Sequence, residues 1–449
     1  MRPIKTLFLL TLLLPALLWL LADTAWPQPL AYFAFRTLYI QLTGIVAIAA
    51  MSVALLLALR PKWLEPWLQG LDKMYRLHKW LGLGALAAAV LHWWLAQGTK
   101  WMVGWGWLTR PARGPRPAPP DPATLEGWLY GQRKLAESLG EWAFYAAALL
   151  IVLALVKRFP YHLFTKTHRW MAAIYLVLAW HAVVLTRFDY WHQPVGWLLA
   201  ALLAGGSLAA CGSLFGRIGA GRRVAGHIES LQYYPELNVL ESRIALQPGW
   251  PGHAAGQFAF VTSDRREGAH PYTIASAWDA ADPHIVFITK ALSDHTRRLP
   301  QRLKPGMPVT VEGPYGCFDF DDAAPRQVWV GAGIGITPFI ARMKQLASMP
   351  PSARKATTID LFHPTAVAET AALDKLRADA AAAGVRLHLL VDALDGRLDG
   401  ARIRAAVPDW AAGSLWFCGP PALGAALRAD FLAQGLPPAR FHQELFKMR

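Results

Sequence analysis

Six runs of mostly apolar residues, near 7–22, 38–59, 77–97, 139–156, 169–186 and 195–214, constrain this chain more than any other feature. Each is close to the length an α-helix needs to cross the hydrocarbon core of a bilayer. After about residue 215 the character changes, and Asp, Glu, Arg and turn residues are mixed in as in a water-soluble protein. The 449 residues therefore divide into a membrane half and a soluble half. Most of the 21 tryptophans fall in the first half, where they suit helix ends at the headgroup level. The first run follows MRPIK and closes on LLADTA, whose small residues also fit a signal-peptide end. It is read here as the first membrane anchor.

The formal net charge of +15 has two readings, nucleic acid or membrane. Many of the basic residues flank apolar runs, so the membrane accounts for them and no nucleic acid is expected. Arg60, Lys62, Lys73 and Arg76 follow the second run, Lys157, Arg158 and Lys166 the fourth, and Arg217, Arg222 and Arg223 the sixth. The alternate loops hold fewer, with Arg36 in one and Arg187 in another. The positive-inside rule then puts the soluble half in the cytoplasm. One loop runs against this, since residues 98–138 carry Lys100, Arg110, Arg113, Arg116, Arg133 and Lys134. It contains an irregular GPRPAPPDP linker and LEGWLYGQRKLAESL, which reads as an amphipathic helix on the outer surface. The three cysteines, Cys211, Cys317 and Cys418, form no CxxC pair, which argues against a disulfide framework or a thiolate cluster.

Two of the apolar runs each carry a histidine near either end. His78 and His92 are 14 residues apart in the third, about 21 Å along a helix and about 40° apart around its axis. His168 and His181 are 13 apart in the fifth, about 20 Å but nearer 140° around the axis. That second offset fits one straight face poorly; a π-bulge, a tilt or different ligand positions can absorb it. Both runs cross in the same direction, so His78 and His168 share the inner level and His92 and His181 the outer. A histidine from each of two facing helices gives six-coordinate heme iron, suited to electron transfer. For any single histidine, simple helix packing is the alternative. Four at matched depths on two parallel helices point to metal.

In the soluble half, NVLESRIALQ, GQFAFVTS, HIVFITKAL and PVTVEGPYG are short strand-like runs between Gly and Pro turns, predicting a small antiparallel barrel. From about 326 strands alternate with helical stretches, predicting a parallel α/β domain. The expected architecture is a six-span α-helical membrane bundle (1–218), an antiparallel β-barrel (224–322) and an α/β domain (326–449). The turn from Gly331 through Gly333 and Gly335 to Thr337 follows a strand and opens a helix, a setting for a pyrophosphate, although position 336 is isoleucine and no full GxGxxG is present. A second turn, Cys418-Gly419-Pro420-Pro421, also follows a strand. Both turns are expected at the carboxyl ends of strands, where ligands bind in open sheets; purely architectural turns are the alternative. In the segment His270-Pro271-Tyr272-Thr273-Ile274-Ala275-Ser276, Tyr272 can pack on a flat ring, Thr273 can bond a flavin nitrogen, and His270 and Lys290 can face phosphate. An ordinary strand is the alternative there as well.

Taken in order, H78-x13-H92, H168-x12-H181, HPYTIAS at 270–276, EGPYG at 312–316, GAGIGITP at 331–338, CGPP at 418–421 and FHQELF at 441–446 resemble the bacterial members of the NADPH oxidase and ferric reductase superfamily. The likeness covers nearly the whole chain: a ferric-reductase-like transmembrane domain followed by a ferredoxin–NADP reductase module. It implies two b-type hemes, the inner held by His78 and His168 and the outer by His92 and His181. It implies FAD held at Pro271, Tyr272, Thr273 and Ser276, with His270 where many relatives have arginine, and with Lys290 facing phosphate. The nicotinamide nucleotide falls to Gly331, Gly333, Gly335, Thr337, Gly419 and Pro420. Cys418, Glu444 and Phe446 would lie near the hydride-transfer centre, Cys418 as a packing thiol rather than a nucleophile. NADPH is expected from the resemblance and NADH is the alternative, because no arginine follows Phe362-His363-Pro364-Thr365. The implied activity passes electrons from cytoplasmic NAD(P)H through FAD and the hemes to an acceptor outside a bacterial inner membrane. That acceptor is dioxygen, giving superoxide, or alternatively a ferric chelate. A transporter with a regulatory nucleotide domain is a reading of another class, and a heme spectrum separates the two.

Overall fold

The computed structural model describes residues 2–23, 31–111, 118–156, 158–353 and 357–444. The chain separates into two compact units, one drawn from residues up to Ile218 except Gln69–Asp72, and one from Gly219 onward that includes those four.

The first unit is helical: α1 (Arg2–Ala22), α2 (Tyr32–Ala58), short α3 (Leu64–Leu68), α4 (Leu71–Trp93), α5 (Thr99–Gly104), α6 (Leu125–Leu155), α7 (Tyr161–His168), α8 (Met171–Leu185) and α9 (Pro194–Leu214). Among the described residues, six stretches are long and apolar enough to cross a membrane: Pro3–Ala22, Tyr32–Ala58, Leu71–Gly104, Leu125–Leu155, Leu163–Leu185 and Pro194–Leu214. The third and fourth reach well past the apolar runs. In the fourth, the segment expected as a separate surface helix is continuous with the span. Thr124 caps the start by accepting from the Gly127 amide at 3.1 Å, and the Leu, Glu, Gln, Arg, Lys and Ala residues of 125–138 favour a helix that extends the apolar part. In the third, α4 passes through a π-helical turn at Trp94–Gly98 into α5. Within the bundle the buried Ser52 and Tyr175 hydroxyls meet at 2.7 Å and satisfy one another.

The second unit has two sheets. Strands β1 (Arg223–Tyr234), β2 (Val239–Leu246), β3 (Phe258–Thr262), β4 (His270–Thr273), β5 (His284–Lys290) and β6 (Pro308–Tyr315) form an antiparallel sheet in the order β4-β3-β6-β1-β2-β5. A bridge between Ile274 and Phe287 brings its two edges together and closes it into a barrel. Ile228, Ile244, Ile285, Phe287 and Val311 fill the interior. Helix α10 (Asp294–Arg302) follows β5 and starts in a capping box between Ser293 and Thr296.

The parallel sheet contains β7 (Arg326–Gly331), β8 (Thr358–Thr365), β9 (Arg386–Val391), β10 (Ser414–Cys418) and β11 (Phe441–Gln443), in the order β11-β10-β7-β8-β9. Helices α11 (Thr337–Ser348), α12 (Thr370–Ala383), α13 (Asp392–Asp395), α14 (Gly400–Ala406) and α15 (Pro421–Ala433) connect the strands. Neighbouring residues on a strand enter opposite cores. Trp329 and Trp416 pack with Phe339 on one face, while Val328, Val330 and Phe417 pack with Leu427 and Phe431 on the other. Strands covered on both faces read as unbroken apolar runs, which is why RQVWVG and SLWFC carry no polar alternation.

Candidate functional site

The membrane unit brings its four histidines together in pairs. The rings of His78 and His168 lie 5.9 Å apart between centroids, and those of His92 and His181 6.2 Å apart, each pair steeply inclined. Two imidazoles on one metal, each bonded at about 2.0–2.1 Å with its centroid about 1.1 Å further on, stand about 6.3 Å apart. Both pairs therefore fit one iron between them. Backbone carbonyls of other helices hold three of the rings: Ala54 for His78 at 2.9 Å, Ile40 for His92 at 3.0 Å and Ala136 for His181 at 2.7 Å. A carbonyl only accepts, so Nδ1 carries the proton in each, and Nε2 keeps the lone pair that a metal takes. His168 Nδ1 is buried without such a partner.

The awkward offset between His168 and His181 is lessened by a break in the fifth span. His168 ends α7, and α8 begins at Met171. Across the junction the amides of Trp170 and Ala172 reach back only three residues, to Thr167 and Arg169. Such tight turns advance by about 120° per residue instead of about 100°, which reduces the mismatch. A π-helical turn does occur, but in the third span, directly after His92.

A cavity of about 660 Å³ adjoins the His92–His181 pair, within the range of cofactor sites. Arg36, Lys100, Arg133 and Lys134 line it together with Glu137 and Glu141, an excess of cations that suits a dianionic porphyrin edge. Arg36 also donates to the Leu95 and Ala96 carbonyls at 2.6 and 3.3 Å, in the π-helical turn. Arg187 is held by Asp23 at 2.7 Å and sits over the Tyr190 ring.

In the barrel, β4 presents the second group of residues. Ala259 pairs with Tyr272 and Val261 with His270. His270 stacks face to face on His295 of α10, with centroids 3.7 Å apart, and His295 Nε2 meets the Tyr272 hydroxyl at 3.1 Å. Burial, then the neighbouring His295, push the His270 imidazole down to about 4. Glu267 lies beside it, and the donor atoms of Glu267, His270 and His295 fall within 4.8 Å of one another. Parallel rings aim their in-plane lone pairs side by side rather than at one point, so this trio is a poor metal cage as arranged. Thr273 is buried, and Ser276 Oγ accepts from the Val286 amide at 3.1 Å. His295 has no signature in the HPYTIAS segment; its position depends on the capping box that starts α10.

In the parallel sheet, Cys418 is in register with Gly331, so the two glycine turns leave adjacent strands at the same level. The Ala332 amide donates to the Cys418 carbonyl at 3.0 Å, and a Cβ at Gly335 would run into that same backbone. Gly333 has φ +55°, left-handed, with open space where a Cβ would stand. Thr337 Oγ1 donates to Ile334, which locks the turn. His363, not singled out as a site residue from sequence, donates from Nδ1 to the Gly331 carbonyl at 2.6 Å, and lines a small cleft with Lys290, Gly333 and Thr365. Cys418 is fully buried; burial, with Glu444 adding to it, pushes its thiol well up. Glu444 is itself buried, Gly419 and Pro420 lead into α15, and Phe446 lies outside the described residues.

Residues 43–179 match the family described as ferric reductase like transmembrane component, and residues 224–318 match the FAD-binding domain family. The chain is 31% identical over 191 residues to an NADPH oxidoreductase of Mycobacterium tuberculosis, covering 39% of this chain and 48% of that protein. It is 30% identical over 218 residues to a heme-dependent oxidative N-demethylase beta subunit of Ectopseudomonas mendocina, covering 45% and 62%. It is 26% identical over 226 residues to respiratory burst oxidase homolog protein E of Arabidopsis thaliana, covering 41% and 22%. The chain thus spans less than two thirds of each relative's own length.

Proposed function

We propose that this chain, a membrane-anchored, FAD-linked member of the NADPH oxidase and ferric reductase superfamily, moves electrons from cytoplasmic NAD(P)H across a bacterial inner membrane to an acceptor outside. The observation that carries this reading is the pair of histidine couples, 5.9 and 6.2 Å between rings, on two spans that are each long and apolar enough to cross a bilayer.

FAD, when bound, would supply the conversion of a two-electron hydride into single electrons, and b-type hemes would supply one-electron carriers within the hydrocarbon. The residues of the chain bind, orient and insulate. His78 and His168 would hold the inner heme, and His92 and His181 the outer, with the backbone carbonyls fixing three ring orientations. Tyr272, Thr273, Pro271 and Ser276 would seat the flavin, with His270 and Lys290 toward its phosphates or those of the nucleotide. Gly331, Gly333, Gly335, Thr337, Gly419 and Pro420 would bring backbone amides to the nicotinamide nucleotide, NADPH in preference to NADH. Cys418, neutral and buried, would pack beside the nicotinamide, with Glu444 next to it and Phe446 toward the flavin.

Dioxygen, giving superoxide, is the preferred acceptor. It needs no charged docking surface, and Arg36 and Arg187, two cations on the outer side, are engaged by protein partners. A ferric chelate is the second reading, favoured by the cationic lining of the outer cavity. The test supplies NADPH or NADH to the purified, FAD-loaded chain. Superoxide production in air that superoxide dismutase abolishes supports the oxidase. Fast ferric-chelate reduction under nitrogen, with negligible superoxide in air, replaces it with the reductase.

A further inference from the structure

Both outer histidines are seated against a neighbouring helix by the same device. His92 donates to the Ile40 carbonyl on α2, and His181 to the Ala136 carbonyl on α6. Four residues beyond each accepting carbonyl stands a glycine, Gly44 and Gly140. Residues i and i+4 share a helix face, so each glycine sits beside the oxygen that takes the histidine proton. A Cβ at Gly44 would stand 3.2 Å from Cε1 and 3.3 Å from Nδ1 of His92, tighter than ordinary contact. A Cβ at Gly140 would overlap the His181 ring outright. The inner pair lacks this arrangement: His78 donates to Ala54, four residues before an alanine, and His168 Nδ1 has no hydrogen-bond partner. Glycine inside a helix is destabilising relative to alanine, so two at matched places against two imidazoles call for a reason.

We propose that Gly44 and Gly140 are positioning residues for the outer heme. Each opens a notch in its helix that admits an imidazole edge to the backbone. The Nδ1–H to carbonyl bond that forms there fixes ring rotation, turns Nε2 toward the iron and strengthens it as a donor. The notches differ in depth, so the two substitutions differ in effect. This inference rests on the two-heme reading above.

The experiment purifies the full chain as wild type, Gly140→Ala, Gly44→Ala and Gly131→Ala. The last is a control in α6 with nothing within 4 Å of the added methyl. Heme content, FAD content and the low-spin heme signals in electron paramagnetic resonance are measured for each. Gly140→Ala is expected to lose the outer heme, so that heme per chain falls by about half while FAD is retained. Gly44→Ala keeps both hemes but shifts the outer signal, and Gly131→Ala matches wild type. Gly140→Ala indistinguishable from Gly131→Ala, with a two-heme wild type, overturns the notch and leaves the two-heme reading standing. A wild type without heme overturns both. If Gly140→Ala does not accumulate, Gly44→Ala decides: a shifted outer signal supports the notch and an unshifted one refutes it.

Discussion

Asp360 is fully buried in β8, beside the strand that ends in the first glycine turn. Its carboxylate accepts from Arg326 at 2.6 Å, Arg386 at 2.8 Å and His388 at 3.1 Å. These contacts are not equivalent. Arg386 is 57% exposed, so that pair contributes about 0–1 kcal/mol. Arg326 is only 13% exposed, and removing Asp360 takes away its buried partner, at a cost of about 3–5 kcal/mol. Asp409, 2.8 Å from Arg326 but itself 60% exposed, offsets a minor part. In a unit of this size each kcal/mol moves Tm by about 2–4 °C, so Asp360→Ala lowers it by about 10 °C. Asp360→Asn keeps an acceptor oxygen and falls less. Thermal unfolding of the full chain in detergent, followed by the rise in FAD fluorescence as flavin is released, reads both values. An Asp360→Ala transition within about 2 °C of wild type would refute the reasoning, because no buried charge would then have lost its partner.

Three further outcomes are expected. Gly335→Val drives a side chain into the Cys418 backbone, and should raise the KM for the nicotinamide nucleotide by about tenfold or more while FAD stays bound, as steady-state kinetics and flavin content would show. Cys418, with its thiol pushed up by burial, should resist alkylation at pH 8 in the folded protein and react only on unfolding, whereas the half-buried Cys211 and Cys317 react sooner, as peptide mass spectrometry would report. His253 is held neutral, accepting from Trp250 at 3.3 Å and donating to the Ser276 carbonyl at 3.1 Å, and burial pushes it down to about 4, like His270. The unfolded chain then binds protons that the folded chain does not, so stability is fully present above about pH 6.5 and is lost as pH falls toward 4. A pH series of unfolding midpoints should show that loss, and His253→Gln should flatten part of it.

The sequence carried the fold class because its signals are local. Unbroken apolar runs mark the six spans, and the switch from turn-rich strands to alternating strands and helices marks the two sheets. The ends of spans were less legible: hydropathy stops where charges begin, whereas the helix of 125–155 runs on through Glu126, Arg133 and Lys134. The phase of His168 against His181 could not be settled by counting residues, since it depends on the break between α7 and α8. Contacts between distant segments were invisible. Nothing in HPYTIAS announces that His270 stacks on His295, and nothing in IQLTG on α2 or AESLG on α6 announces which imidazole fills the space beside Gly44 or Gly140. Those features depend on side chains from elsewhere in the chain, and a single sequence places each of them only on its own element.

The decisive measurement traps a membrane-impermeant one-electron oxidant such as ferricyanide inside vesicles carrying the FAD-loaded chain, and adds NADPH outside under nitrogen. Current that reaches the trapped oxidant, and that stops when His92 is replaced by leucine while NADPH still reduces the flavin, is the predicted result. Undiminished transmembrane reduction without His92, or flavin reduction in the wild type with no electron reaching the lumen, would contradict a path through iron held between these helices.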